Sequence, residues 1–238
     1  MGLNTLLVIQ ARMGSTRLPG KMLLELGGRP VIDWVVRRCL SAKRPDACVV
    51  AMPETAENDA LADRCEQLGC DVYRGSEIDV LQRTRNAADL YAPEVVVRVC
   101  GDRPLVDPDV IDATIQSFLL SQALPPSSDI VFSHKNAGTQ AWPYGFGAEV
   151  LKYDLLDRLE KNVTDPVERE HVTLHMYNNP DSYRVTALEC PESFSQNEKA
   201  GKFDLDSSED FKRLNDIVSV SDSMITQGNI FIARANIF

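Results

Sequence analysis

Gln10-Ala11-Arg12-Met13-Gly14-Ser15-Thr16-Arg17-Leu18-Pro19-Gly20-Lys21 follows directly on the apolar run Leu6 to Ile9. Together they read as a buried strand opening into a loop punctuated by Gly and Pro. Arg12, Arg17 and Lys21 place three positive charges in ten residues without an acid, in a chain whose formal net charge is -10. A reversal of sign just beyond a strand is where open α/β sheets bind polyanions, and a nucleoside triphosphate is the candidate. By charge alone, a solvated basic loop is an equal alternative. A P-loop is excluded, because its rule is G-x-x-x-x-G-K-[ST]. Here five residues separate Gly14 from Gly20, and Met22 follows Lys21 where Ser or Thr should hold magnesium. A metal ion would have to be held from elsewhere in the chain.

Outward from this loop, strand and helix patterns alternate. Helices are expected from Pro30 to Leu40, Asn58 to Leu68, Ile78 to Tyr91 and Pro108 to Ser121, the last opened by Asp107 as N-cap. Between them Ala47–Ala51, Asp71–Tyr73 and Glu94–Val99 read as strands, the last without the alternation of a half-exposed strand. Four successive strand–helix pairs predict a Rossmann-like three-layer α/β/α fold with a mostly parallel sheet. The pattern breaks between Ser121 and Gly147, where Pro, Ser and Gly cluster around a brief strand at Asp129–Phe132. Helices at Asp154–Lys161 and Pro166–Tyr177 and a strand at Tyr183–Ala187 follow. Phe203–Leu205 reads as a strand returning to the sheet, and Ser207 to Ile217 as a helix capped by Ser207. The apolar Ile230 to Phe238 is expected to dock on the body of the protein. No internal repeat or low-complexity tract is visible.

At 238 residues the chain fits one α/β domain with an inserted region at about 133–190. Hydrophobic and charged contents of 44% and 25% suit a soluble globular protein. The acidic balance argues against nucleic-acid partners, which need an extended basic face. No run approaches the ~18 apolar residues of a membrane span, and no signal-like segment opens the chain. The six cysteines, Cys39, Cys48, Cys65, Cys70, Cys100 and Cys190, are dispersed and form no C-x-x-C. They read as reduced thiols of a cytoplasmic protein.

Two further elements bear chemistry. Gly101-Asp102-Arg103-Pro104-Leu105 closes the strand Glu94–Val99 and puts a carboxylate at a strand's carboxyl end. A cation ligand and a simple turn cap are equally good readings of Asp102. In Phe203-Asp204-Leu205-Asp206, the two aspartates would project to one side of a strand; the alternative is that one of them only opens the helix that follows. A Mg2+ ion carrying substrate phosphates needs only one or two protein carboxylates, which Asp102 and Asp206 can supply. His171 and His175 have the spacing of a zinc-binding H-E-x-x-H, but Val172 replaces the required Glu.

The chain resembles the cytidylyltransferases of the spore-coat polysaccharide type, which are related to the enzymes activating Kdo and sialic acids. The family's A-R-x-x-S-x-R-L-P-G-K loop is matched by Ala11, Arg12, Ser15, Arg17, Leu18, Pro19, Gly20 and Lys21. Its G-D-x-P-L turn is matched by Gly101, Asp102, Pro104 and Leu105, and its D-[TS]-x-E-D element by Asp206, Ser207, Glu209 and Asp210. Arg74 to Leu81 and Arg169 to Thr173 match the R-G-S-E-x-D-V-L and R-E-H-V-T segments of the spore-coat branch. Gly147 stands where many relatives carry Asp, and Arg98 and Cys100 differ from the base-reading residues of the Kdo-type enzymes.

The resemblance implies a nucleotide-diphospho-sugar transferase fold and transfer of CMP from CTP to an acidic sugar, with release of pyrophosphate, for surface glycan synthesis. It implies Arg12, Lys21 and Asp102 as catalytic residues, and Mg2+ held by Asp102 and Asp206. Ala11, Arg12, Gly14, Ser15, Arg17, Lys21, Ser76, Asp79 and Arg83 would contact the nucleotide; Ser76, Asp79 and Arg83 read equally as an ordinary helix start. Glu149, Glu170 and His171 would face the acceptor, His171 having a structural helix role as its rival. A homodimer formed through the inserted region is also implied. The alternatives are transfer to a sugar 1-phosphate with another nucleotide, and a non-catalytic nucleotide-binding accessory protein.

Overall fold

The computed structural model describes residues 4–134, 142–190 and 202–220. The apolar run before the basic loop forms β1 (Thr5–Gln10), in which Leu6, Leu7, Val8 and Ile9 are all fully buried. A strand buried on both faces needs neighbours on both edges. It has them in β4 (Ala47–Pro53) and β6 (Val95–Cys100), both parallel to it. β5 (Asp71–Gly75) extends the sheet beyond β4. On the other side lie β8 (Glu149–Lys152), β7 (Ile130–Phe132) and β9 (Val185–Ala187), giving the order β5-β4-β1-β6-β8-β7-β9. Only β8 runs against the others, antiparallel to both β6 and β7. A two-stranded ribbon of β2 (Glu25–Leu26) and β3 (Arg29–Pro30) stands apart.

Alternation along each strand divides the core into two layers. Leu7, Ile9, Val50, Met52, Val97 and Val99 face one side. There they pack on α1 (Val31–Ser41), α2 (Asp59–Gln67), α4 (Pro108–Ala123) and α8 (Ser208–Val220). Leu6, Val8, Val49, Ala51 and Val96 face the other, where α3 (Val80–Asp89) and α5 (Tyr153–Asn162) cover them. The three-layer α/β/α architecture is therefore the direct product of the strands' two-sided burial. Asp107 caps α4 as expected, accepting from the Asp109 and Val110 amides at 2.9 and 3.3 Å. Ser207 and Asp210 cap each other's ends of the first turn of α8.

Three expectations are corrected. Phe203–Leu205 is not a strand: the Phe203 amide donates to Tyr144 O and the Leu205 amide to Asp102 O, so loop carbonyls replace a sheet edge. Asp204 and Asp206 consequently part, Asp204 toward Arg103 and Asp206 toward Lys21. The helix expected over Pro166–Tyr177 is two, α6 (Pro166–His171) and α7 (Leu174–Asn178), broken at Val172 with φ 57°. That angle is strained for a β-branched residue, and Val172 is held in it by full burial. Finally, β8 forms between the irregular stretch ending at Gly147 and the helix expected from Asp154, where no element is expected, because four residues paired on both edges show no useful period. Strands β8 and β9 put parts of the 133–190 stretch in the main sheet. Ile230 to Phe238 lies outside the described residues. No helix among the described residues is long and apolar enough to cross a membrane.

Candidate active site

Strand order reverses at β1: the chain passes from β1 outward to β4 and β5, then returns to β6 on the opposite side. Such a switch point leaves a crevice at the carboxyl ends of the two central strands. Gln10 and Cys100, paired in register, end those strands. A cleft of about 290 Å3 opens above them, lined by the basic loop, Arg83, Asp102, Glu170, His171 and Asp206.

The loop is pinned at both ends. Asn58, fully buried, accepts from the Met13 amide at 2.9 Å, while Met22 is sunk in the core. Gly20 turns the chain with φ +69° so that its amide reaches back to Met13 O. Ser15 Oγ accepts from the Leu18 amide at 3.3 Å. Between these anchors the amides of Gly14, Ser15, Thr16 and Arg17 donate to no described residue. Four consecutive unspent N–H donors beside three cations make a receptacle for phosphate oxygens.

Three remote segments meet around Lys21. Its ammonium donates to Leu205 O at 2.7 Å, Asp102 Oδ2 at 3.2 Å and Asp206 Oδ1 at 3.4 Å. Asp206 also contacts Arg17 at 3.3 Å and Lys202. Burial pushes the Asp206 carboxyl up, but Lys202, Lys21 and Arg17 together hold it below the usual carboxylate range. The acceptors surrounding this ammonium are all oxygens, the atoms a Mg2+ ion takes when waters and phosphates complete its shell. Among the described residues no group of three or more His, Cys, Asp or Glu side chains can hold a metal. The residues thus fit an ion that arrives with phosphate ligands, and they do not build a closed cage.

On the floor of the cleft Arg83 is 2% exposed, donating to Ser76 O and to Glu77 O at 3.4 Å, with its Nε unsatisfied among the described residues. Burial, reinforced by Arg12, lowers its pKa to about 10. Ser76 and Asp79 do not line the cleft. Ser76 Oγ accepts from the Asp79 amide, and Asp79 caps α3 while its other oxygen binds Arg169 at 2.8 Å. On the opposite wall Arg169 also donates to Glu160 O and Val163 O, fastening α6 to α3 and α5. This turns Glu170 and His171 to the cleft, where Glu170 pairs with Arg12 at 3.3 Å.

Glu149 does not reach the cleft. It is 3% exposed, and its oxygens accept from Arg98, from Thr173 Oγ1 at 2.9 and 3.0 Å and from Tyr177 OH at 3.0 Å. Burial alone would raise its pKa, but Arg98 and His134 bring it down to about 2. Arg98 in turn donates to Gln10 Oε1 at 2.8 Å, and Gln10 to Thr84. At Gly147 a Cβ would lie 1.6 Å from Ser133 O, so this backbone admits no side chain there. Sequence reasoning gave no site role to Gln10, to Cys100 beyond its departure from the Kdo-type base-reading residues, or to Lys202. The first two are signalled by their place at strand ends, whereas nothing local marks Lys202.

A family model described as cytidylyltransferase matches residues 6–237. The chain is 37% identical over 205 residues to the uncharacterised protein MJ1063 of Methanocaldococcus jannaschii, covering 86% of this chain and 79% of that one. It is 36% identical over 216 residues to the spore coat polysaccharide biosynthesis protein SpsF of Bacillus subtilis, covering 89% and 85%. Among solved structures, a cytidylyltransferase from Leptospira borgpetersenii superposes with a TM-score of 0.85 at 26% identity, covering 99% of this chain and 95% of that one. The loop, the paired aspartates and the whole-length match agree: this chain belongs to the cytidylyltransferase family.

Proposed function

We propose that the protein transfers CMP from CTP to the hydroxyl of an acidic, Kdo- or nonulosonate-like sugar for surface glycan synthesis. The convergence of Lys21, Asp102 and Asp206 beneath the basic loop carries this reading. In the reaction an oxygen of the acceptor hydroxyl bonds to the α-phosphorus, the bond to the β-phosphate oxygen breaks, and pyrophosphate leaves with the loop's cations around it. The hydroxyl proton passes to solvent water in the open cleft as the new bond forms. Such transfer asks for positioning and charge neutralisation rather than covalent catalysis. Arg12, Arg17, Lys21 and the amides from Gly14 to Arg17 bind the triphosphate. Arg83 closes the base end of the cleft. Glu170 and His171 face the acceptor, and Glu149 positions them through Thr173 from behind the wall. Asp102 and Asp206 would hold Mg2+, which when bound supplies Lewis-acid polarisation of the α-phosphate.

A homodimer formed through the inserted region is part of the same proposal, resting on the family resemblance alone. A cytoplasmic setting is supported by the free thiols of Cys39, Cys48, Cys65, Cys70 and Cys100. Pyrophosphate release measured with each of the four triphosphates, Mg2+ and a panel of keto-sugar acids and sugar 1-phosphates tests the proposal. Release is expected with CTP and a keto-sugar acid. Release only with a sugar phosphate, or a CTP-induced thermal shift without turnover on any acceptor, overturns it.

A further inference from the structure

Lys21 makes contacts that phosphate binding does not require. Its side chain is 12% exposed, and its ammonium stands between the carboxylates of Asp102 and Asp206 with the Leu205 carbonyl as third partner. Two carboxylates converging in a partly buried place repel each other, and a cation between them relieves that repulsion. A divalent ion bound to the same oxygens would sit ~2.1 Å from each, leaving no room for an ammonium among them. We propose that Lys21 is a resident counter-cation, filling the metal position in the nucleotide-free protein and giving it up when a triphosphate offers the ammonium another anionic partner.

This rests on the functional reading above for the identity of the metal position, and deepens it by ordering the two binding events. Metal affinity is held low until triphosphate arrives, and each ligand then strengthens binding of the other, because both act on one displaced side chain. The neighbouring amides of Gly14 to Arg17 lie on the same loop as Lys21, so the alternative partner docks within reach of that side chain. Lys202 and Arg17 take part more weakly. Among the described residues each forms an ion pair with Asp206 alone, with side chains 40% and 70% exposed.

Mn2+ binding to nucleotide-free protein, followed by loss of the free aqua ion's electron paramagnetic resonance signal, decides the matter. Lys21→Met is expected to bind Mn2+ about tenfold or more tightly than wild type, since one competing charge-assisted contact set is gone. The gain should vanish in the Lys21→Met/Asp102→Asn double variant. Lys202→Met, at an exposed position that leaves folding intact, should gain in the same direction and by less. A folded Lys21→Met with no tighter binding overturns the exchange, as does a gain that survives Asp102→Asn. If Lys21→Met does not fold, absence of any gain in Lys202→Met overturns it. Wild-type protein retaining Mn2+ on ultrafiltration with CTP separates the two readings. When it does so and the variants show no gain, the metal position stands and only the exchange falls; when nothing retains Mn2+, both fall.

Discussion

Asp102 and Asp206 face Lys21, Arg17 and Lys202 in the cleft, while one strand away Glu149 faces Arg98. Both groups are carboxylates paired with cations, yet their surroundings differ. Glu149 and Arg98 are 4% and 11% exposed at the side chain, and every oxygen of Glu149 has a protein partner. Asp102 is 29% exposed and Arg17 70%, and the cations meeting Asp206 outnumber its needs. A saturated buried pair holds structure in place, because no ligand can offer better partners than those already present. An over-supplied pair at a cleft mouth can trade protein contacts for ligand contacts. The difference separates a site from its scaffold.

The comparison breaks most visibly in catalysis. Lys21→Ala and Asp102→Asn should each lower the rate of pyrophosphate release by at least roughly 10²–10³-fold, with circular dichroism unchanged. Near-wild-type turnover in either variant removes the cleft cluster from the chemistry.

Glu149→Ala should act on stability instead. Leaving Arg98 buried without its partner costs about 3–5 kcal/mol, a drop in melting temperature of roughly 10 °C or more. A melting curve that does not move would mean the buried cluster is not scaffold.

Acid sharpens the same distinction. The folded pKa of Glu149, about 2, lies below its ordinary value of 4.5, so its contribution is complete above 4.5 and is lost as pH falls toward 2. The pKa of His134 is lowered to about 4 by burial, so its protonation also opposes folding, between its ordinary 6.5 and 4. Denaturant titrations across this range should show Glu149→Gln flattening the lower limb and extending the upper one to lower pH, because His134, 3.8 Å from Glu149, loses the charge that favours its protonation.

The smallest effect is expected at the exposed Arg12–Glu170 pair, whose side chains are 47% and 49% exposed. Glu170→Gln should change stability by less than about 1 kcal/mol, and less still in high salt. A larger loss in chemical denaturation would make α6 a structural strut rather than a wall of the site.

Much of the site was legible because its signals are local. A run of cations without acids, a glycine turn after a strand and a carboxylate at that strand's end need only neighbouring residues to be read. Ser76 and Asp79 lie in a matched family segment and the resemblance also offered Glu149, but the folded chain gives Asp79 to a helix cap and Arg169, and Glu149 to Arg98 and Thr173. Motif matching locates a segment and does not say which of its side chains turns to the cleft. The Arg169–Thr173 segment illustrates this: a strained Val172 turns the chain so that Thr173 faces Glu149 while Glu170 and His171 face the cleft.

By itself the sequence determined the layered α/β/α fold and the basic, acid-free loop after β1, because period and charge are set by residues a few positions apart. Tertiary structure alone decided what closes on that loop. Lys21 lies 81 residues from Asp102 and 185 from Asp206, and β8 enters the sheet against its neighbours. Strand order, burial and the path of an irregular segment bring such groups together. These depend on packing between distant parts of the chain, which no local pattern encodes.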